Sequence, residues 1–332
     1  MRPMAKTFGG FRAALLAGWA VLGVAGIVFA RAKGIPVAAA LPVIAAFLAE
    51  YPFYLVAGFP AVRQRLAGLY VVYPGRASFA LPAILAGSLV LPYLLCCLGG
   101  IQFDGLALIR LASLGLAISL WYVLLPAVML LDSAFLALIG WVTLGHYFDA
   151  IYPRFFGQHL EALGAVGLLH VVALTLMLQR PIAETGWGFW PNRREWIVGA
   201  RHYLFFLLLG GPLAMALGAA HLAAGAAPWW IIAGTFFGAL WVSSLAEEFL
   251  FRGVLQQWIE DWTGGARAAL LIASLVFGLA HLWFRGFPNW RWVPVAAVLG
   301  LLCGRARNQA ASIRASAVTH ALVVATWRAF FV

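Results

Sequence analysis

Two adjacent glutamates and an arginine interrupt an otherwise apolar part of the chain. Glu247, Glu248 and Arg252 follow the apolar run 229–246 and are followed by further apolar residues. A charge at the centre of a bilayer costs at least about 2.5–3.5 kcal/mol, so these groups need mutual compensation or a water-filled cavity. On a helix, Glu248 and Arg252 share a face because they are four residues apart, whereas Glu247 is rotated from Glu248 by about 100°. The spacing therefore predicts that Glu248 pairs with Arg252 and that Glu247 is free to act on a ligand or on water.

A second interpretation of the same residues requires no chemistry. Glutamate and arginine are ordinary at a helix end in the headgroup region, and the chain after Arg252 becomes polar: Gln256, Gln257, Glu260 and Asp261. These polar residues indicate that the helix leaves the membrane soon after the charged groups. The carboxylates alone therefore leave a functional and a structural interpretation open.

Two histidines in later apolar runs favour the functional interpretation. His281 ends an apolar run, with Phe277 one turn before it, and His320 lies in the last apolar run of the chain. A glutamate with two imidazoles can act as a general base towards water and polarise an amide carbonyl. The same three groups, with Glu247 as the carboxylate, could hold a zinc ion, which takes Glu and His ligands. Two other histidines are predicted to be hydrogen-bonded packing residues: His170 and His221.

The ordered set of motifs resembles a known family of membrane proteases. Glu247-Glu248-x-x-x-Arg252, then Phe277-x-x-x-His281, then a histidine in the final helix, His320, are similar to the motifs of the CAAX-prenyl-protease and bacteriocin-processing (CPBP) family. The resemblance covers about residues 182–332. It implies that Glu247 is the catalytic base, that His281 is its partner in activating water, and that His320 stabilises the oxyanion. Supporting roles are implied for the other motif residues: Glu248, Arg252 and Phe277.

The chain departs from the family at one position. The family has an asparagine four residues after the third-motif histidine, as a second oxyanion donor, whereas this chain has Val324. Residue 324 lies one turn beyond His320 and on the same face of a helix, where valine offers only methyl groups. The candidates for a replacement donor on the same helix, Thr319 and Thr326, are both rotated away from that face. We therefore expect His320 to act with a water or with a group from another helix.

The resemblance implies an intramembrane endopeptidase that hydrolyses a peptide bond in a membrane-associated, possibly prenylated, peptide or protein. It favours a metal-independent glutamate, so no cofactor is expected; the alternative is zinc at Glu247, His281 and His320. A competing hypothesis is a non-catalytic membrane scaffold or binding protein that retains the protease fold, which Val324 favours. A third is a transporter or proton channel with the carboxylates as a relay, although the paired broken helices of transporter repeats are missing from the sequence.

The composition determines the kind of fold that must position these groups. Of 332 residues, 64% are hydrophobic and 10% are charged, against about 45–50% and about 25% in soluble domains. These proportions exclude a soluble globular protein, a disordered chain, a coiled coil and a secreted disulfide scaffold. At about 20 residues per span, the apolar runs predict an all-α, polytopic transmembrane bundle of about 8–11 membrane helices, with the run at 133–146 short for a span.

The charge distribution predicts an orientation. The net charge is +11, but the basic residues are spread through the loops, as the positive-inside rule requires, so no nucleic-acid partner is expected. If all apolar runs cross, fourteen basic residues lie on the side of the N-terminus and seven on the other. The bilayer is thus the expected partner, and the predicted location is the cell inner membrane with a cytoplasmic N-terminus.

One internal boundary is visible in the sequence. The segment 184–196 is aromatic, basic and rich in helix breakers, and suits a loop at the headgroup level with Trp187, Trp190 and Trp196 as anchors. The membrane runs before it carry almost no ionisable groups. We therefore predict N-terminal transmembrane helices of unknown role at 1–180 and a protease-like core of transmembrane helices at 181–332.

Overall fold

The structure is a computed structural model that describes residues 2–68, 79–180, 182 and 185–331, with side chains from residue 8 onward. Glu184, the first residue of the predicted headgroup segment, lies outside the described residues. Within the described residues the chain is helical, without a strand longer than an isolated bridge. The prediction of an all-α bundle is confirmed.

The chain divides into two compact units, Met1–Pro181 and Ile182–Val332. The first unit packs α2 against α1, α4 and α7, and α4 against α5. Its described helices are α1 (Arg2–Ala32), α2 (Val37–Ala57), α3 (Pro60–Ala67), α4 (Ala80–Leu98), α5 (Gly105–Leu124), α6 (Met129–Leu144) and α7 (Glu161–Leu178).

The second unit carries all the residues predicted to do chemistry. Its described helices are α8 (Arg193–Ala216), α9 (Trp229–Thr263), α10 (Ala266–Ala280), α11 (Trp292–Ala310) and α12 (Ile313–Phe330). Helix α11 packs against α8, α10 and α12, and α12 also packs against α8 and α9. The three motifs therefore lie on helices that pack together.

Eight of the described helices are long and apolar enough to cross a membrane, where α10 is counted with the 3-10 turn that extends it to Trp283: α1, α2, α4, α5, α7, α8, α9 and α10. This number is the lower end of the predicted range of 8–11 spans. The run predicted to be short forms α6, whose 16 residues fall below the length of a span. By their length and composition, these helices are those of an integral multi-pass membrane protein.

Helix α9 departs from regular α geometry at two places. Its turns at Ala239–Ser243 and Phe249–Leu255 are π-helical, and the α-helical stretch Ser244–Glu248 lies between them. A π turn is wider than an α turn, and such turns frequently occur at functional sites. The two motif glutamates therefore lie at the junction between a regular segment and a wide turn.

The predicted role of Trp187 as a headgroup anchor is wrong. Its side chain is 4% exposed and packs edge-to-face on Phe249 of α9, with 4.8 Å between the ring centroids. The segment folds back onto α9, and burial against that helix takes the place of the membrane interface. Trp190 is 75% exposed. The segment ends where Asn192 and Glu195 form a capping box that begins α8.

Candidate active site

Glu248 and Arg252 form a buried ion pair, as their spacing predicts. Both side chains are almost fully buried, Arg252 Nε lies 3.2 Å from Glu248 Oε2, and Arg252 Nη1 donates to Oε1 at 3.2 Å. The guanidinium also lies over the Phe277 ring, 4.3 Å from its centroid, in a cation–π contact. A buried charge is tolerated when it is paired, so this arrangement holds Glu248 in one place.

His320 connects this pair to α12. Its Nδ1 lies 2.8 Å from Glu248 Oε1, and its Nε2 lies 4.0 Å from Glu247 Oε2. An ionised carboxylate only accepts hydrogen bonds, so Nδ1–H is the donor to Glu248. The hydrogen bond at one ring nitrogen fixes the role of the other. Glu248 therefore orients the His320 ring so that Nε2 faces the other glutamate, a role that the sequence did not reveal.

Glu247 differs from its neighbour in exposure. Its side chain is 41% exposed, whereas that of Glu248 is fully buried. The exposed carboxylate can meet water or a ligand, and the buried one is occupied by Arg252 and His320. Glu247 is thus both the accessible carboxylate and the one that does not share a helix face with Arg252. Its catalytic role stays a prediction.

His281 and Phe277 complete the cluster. His281 begins the short 3-10 turn after α10, and its Nδ1 lies 2.9 Å from the Phe277 carbonyl oxygen, to which Nδ1–H donates. This bond leaves Nε2 for other partners. The ring lies within electrostatic range of Glu247 and His320. Phe277 is fully buried, and its ring centroid lies 4.7 Å from that of His281 and 5.7 Å from that of His320. The motif residues therefore surround one phenylalanine ring.

The two histidines predicted to pack behave differently from each other. His170 is fully buried in α7, and its Nε2 lies 2.7 Å from the Ser88 hydroxyl oxygen. His221 is exposed in the segment between α8 and α9, so its assignment as a packing residue is wrong. The segment there is irregular, and the residue that packs into the core is the neighbouring Ala220 rather than His221.

Both threonines considered as replacement oxyanion donors are occupied elsewhere. The Thr319 hydroxyl donates to the Gly199 carbonyl at 3.0 Å, and the Thr326 hydroxyl shares a 2.7 Å hydrogen bond with Tyr203. Val324 is half-buried. These contacts exclude Thr319 and Thr326 in their present positions, and a second donor must be a water, a backbone N–H or a group from another helix.

A cysteine near the cluster escaped the sequence analysis. Cys303 of α11 is fully buried, and its sulfur lies with ligand atoms of Glu248 and His320 inside a group that spans 4.8 Å. No metal-type spacing marks Cys303 in the sequence, because its neighbours here come from α9 and α12.

The atoms near Glu248 that could bind a metal differ from those of the predicted zinc site. Among the described residues, the carboxylate, thiol and imidazole atoms that lie within 4.8 Å of one another belong to Glu248, Cys303 and His320, not to Glu247, His281 and His320. The Glu248 carboxylate already binds the Arg252 guanidinium and the His320 N–H. A divalent ion would have to displace both of these partners, so this group fits an ion-pair network better than a metal.

The fold and the site define a class of protein: a multi-pass helical membrane protein with a half-exposed glutamate beside two histidines on packed helices. The family described as type II CAAX prenyl endopeptidase, Rce1-like, matches residues 224–326, a range that includes every predicted site residue. This match covers less than half of the chain; it is consistent with the resemblance to CPBP proteases that the motifs carry, and it supports an intramembrane endopeptidase at the level of the family. Comparisons with curated proteins and with solved structures found no match.

Proposed function

We propose that this protein hydrolyses a peptide bond within the membrane, with Glu247 as the base that activates water. The observation that carries the proposal is the contrast between the two adjacent carboxylates. Glu247 is accessible and lies 4.0 Å from His320 Nε2, whereas Glu248 is buried and paired. One carboxylate is thus available for proton transfer, and the other holds a catalytic imidazole in position.

The proposed reaction follows from the roles of three side chains. The Glu247 carboxylate takes a proton from water while the water oxygen attacks the scissile carbonyl carbon, and His281 helps to hold that water. The electrons of the carbonyl double bond move to its oxygen, and His320 Nε2–H donates to this oxyanion in the imidazolium form, in which both ring nitrogens donate. The carbonyl then re-forms, the C–N bond breaks, and the Glu247 carboxyl returns its proton to the leaving nitrogen.

The proposed substrate is a membrane-associated peptide or protein, possibly prenylated. The apolar helices around the site and the name of the matched family support this class. Comparison of lipidated and unlipidated forms of one peptide tests the second part of the proposal, because a lipid requirement would reduce cleavage of the unlipidated form.

The central experiment compares new peptide termini in membranes that contain wild type or Glu247→Gln. The amide cannot accept the water proton, so we expect cleavage to fall by about 10²–10⁴. The half-exposed position predicts a stability change within about 0.5 kcal/mol. Asp261→Asn is a matched control, since Asp261 is an exposed carboxylate on the same helix. Intact cleavage by folded Glu247→Gln would contradict the proposal.

We propose that catalysis needs no metal, in line with the poor fit of the donor set described above. Cleavage is expected to persist after prolonged treatment with a strong chelator. Activity that is lost on chelation and restored by zinc alone would contradict this part of the proposal and leave Glu247 open as a ligand.

We further propose that the protein lies in the cell inner membrane with its N-terminus in the cytoplasm. The support for this orientation is the excess of basic residues on that side, fourteen against seven with Arg252 left out, which applies if all eleven apolar runs of the sequence cross. A protease added to intact spheroplasts should leave an N-terminal tag uncut and should remove it after permeabilisation. Removal before permeabilisation would reverse the orientation.

A further inference from the structure

Glu50, in the first unit, is a buried glutamate without the arginine partner that the other buried carboxyl side chains of the described residues have. Among the described residues the buried carboxyl side chains are Glu50, Asp132, Glu195 and Glu248. The last three form ion pairs with Arg180, Arg314 and Arg252, respectively. Glu50 of α2 is 1% exposed, and neither of its oxygens has a hydrogen-bond partner in the described part of the chain.

The space around the Glu50 carboxyl is set by α7. A Cβ atom at Gly167 would lie 3.1 Å from Glu50 Oε1 and 2.6 Å from Leu89 Cδ1. Because glycine has no side chain, the Glu50 carboxyl fits beside α7 at this position. The ionisable groups that interact with it electrostatically are Cys96 of α4 and Tyr152 of the segment before α7. Neither group carries a positive charge at neutral pH.

Other ionisable groups on the packed elements have partners of their own. On α3, Arg63 donates to the Ala57 carbonyl and Arg65 lies over the Phe8 ring. On α2 itself, Tyr51 donates to the Ala14 carbonyl of α1. On α7, His170 lies one turn beyond Gly167, stacks on Phe53 and bonds the Ser88 hydroxyl. No contact among the described residues brings an arginine or lysine to the Glu50 carboxyl, so a negative charge there has no counter-ion within this part of the chain.

The physical consequence concerns the charge state of Glu50. Burial of an ionised carboxylate without a partner is far more costly than burial of the neutral acid, and the group neutralises instead. A metal cation would need about six or more oxygen ligands, whereas this site offers the two carboxyl oxygens and the Tyr152 hydroxyl, itself buried and without a described hydrogen-bond partner. A proton is the ligand that this site can hold.

A cavity lies at one end of the unit, beside Tyr152. Its volume is about 400 Å³, and it is lined by residues at the end of α4 and in the segment before α7, among them Gly99, Gly100, Pro153 and Arg154. Tyr152 directly precedes Pro153 in this lining and interacts electrostatically with Glu50. The cavity is therefore the candidate source of water for the Glu50 carboxyl.

We infer that Glu50 is a proton-binding site within the first unit, which carries a proton at neutral pH and exchanges it with the cavity beside Tyr152. The inference is independent of the proposed protease activity, because no motif residue belongs to this unit. An intramembrane ionisable residue of this kind is the usual mark of a functional site.

The test uses dicyclohexylcarbodiimide, an apolar reagent that partitions into membranes and reacts with protonated carboxyls. The carboxyl oxygen bonds to the central carbon of the carbodiimide, the acid proton moves to its nitrogen, and the adduct rearranges to a stable N-acylurea. The full-length protein is treated in its membrane at neutral pH, and the adducts are located by peptide mass spectrometry. We expect Glu50 to be labelled at least about tenfold more than Asp132, because only the unpaired carboxyl holds the proton that the reagent needs.

Asp132 is the internal control, because it is as deeply buried in the same unit but is paired with Arg180. Labelling of Glu50 should disappear at alkaline pH and return when neutral pH is restored. Glu50→Gln, which is isosteric and neutral, should lose this one adduct. Because the wild-type peptide map locates the adduct directly, the test does not depend on the folding of that variant.

Three results would overturn the inference. Equal labelling of Glu50 and Asp132 would show that the pairing makes no difference. Labelling of Glu50 that is unchanged at alkaline pH would show that the proton does not exchange. Protection of Glu50 by sodium or potassium ions at constant ionic strength would make the site a cation site instead.

Discussion

Both units of this protein bury carboxylates against arginines, and the Asp132–Arg180 pair of the first unit differs from the Glu248–Arg252 pair of the second in what surrounds it. In the first unit, Asp132 binds Arg180 at 3.1 Å and accepts a 2.8 Å hydrogen bond from the Tyr122 hydroxyl. In the second, Glu248 binds Arg252 at 3.2 Å, and its other contact is His320 at 2.8 Å.

The difference lies in the third partner and in its neighbours. In the first pair, the Tyr122 hydroxyl donates to Asp132 and connects it to no further ionisable group in the contacts given above. In the second, His320 has another ring nitrogen, which faces Glu247, a half-exposed carboxylate. A buried acid–arginine pair is thus a structural element in both units. It becomes part of a reactive site only where it orients a group that can exchange protons with an accessible partner.

The largest expected effect is the loss of the buried guanidinium. Arg252→Ala leaves Glu248 buried without a counter-ion, and we expect the free energy of unfolding to fall by about 3–5 kcal/mol. Arg180→Ala should cost less, because the Arg180 side chain is 19% exposed and water can replace it in part. Denaturant unfolding of the detergent-solubilised variants measures both losses. A larger loss for Arg180→Ala would reverse our ranking of the two pairs.

The third partners should separate stability from activity. His320→Gln replaces the proposed imidazolium donor with a neutral amide that lacks its charge and ring geometry, and should lower peptide cleavage by about 10²–10³. Tyr122→Phe should leave cleavage unchanged and lower the free energy of unfolding by about 1–3 kcal/mol, since it leaves one acceptor of a buried carboxylate unpaired. Turnover and unfolding are measured on the same preparations. If Tyr122→Phe reduced turnover as much as His320→Gln, the contrast between a structural pair in the first unit and a catalytic one in the second would be wrong.

The smallest expected effect concerns the incomplete oxyanion site. Because Thr319 and Thr326 are bonded elsewhere, Val324→Asn should supply a missing donor and raise turnover, by up to the factor of about 10² that one such donor provides. Leu322→Asn, on a different face of the same helix, is the matched control and should not raise turnover. Unchanged turnover in folded Val324→Asn would mean that the oxyanion site is completed elsewhere.

The sequence predicted the parts of the site that depend on local periodicity. The Glu248–Arg252 pair follows from a spacing of four residues on one helix, and the different direction of Glu247 follows from the same geometry. The helical fold and its number of spans follow from the long apolar runs, since a bilayer permits few other structures.

The parts that the sequence did not predict depend on contacts between elements. The bond between His320 and Glu248 joins α9 to α12, and Cys303 reaches the same place from α11. Burial of Trp187 likewise depends on how its segment folds onto Phe249. Spacing along the chain carries no information on pairs that are distant in sequence. Trp187 was therefore predicted to lie at the membrane interface, where tryptophan is common, although it is buried against α9.

The π-helical turn Phe249–Leu255 in α9 sets the direction in which the residues after the two glutamates point. Directly beyond it, the Gln256 side chain donates to Asn308 Oδ1 of α11 at 3.0 Å. A π turn holds one more residue than an α turn, so deletion of one residue within it restores a regular helix and leaves Gln256 pointing in nearly the same direction. The same deletion in the α-helical stretch Ser244–Glu248 would rotate Gln256 by about 100° relative to the residues before the deletion. In homologous chains, one-residue gaps should therefore be accepted within the π turn and excluded from the α-helical stretch that carries the glutamates.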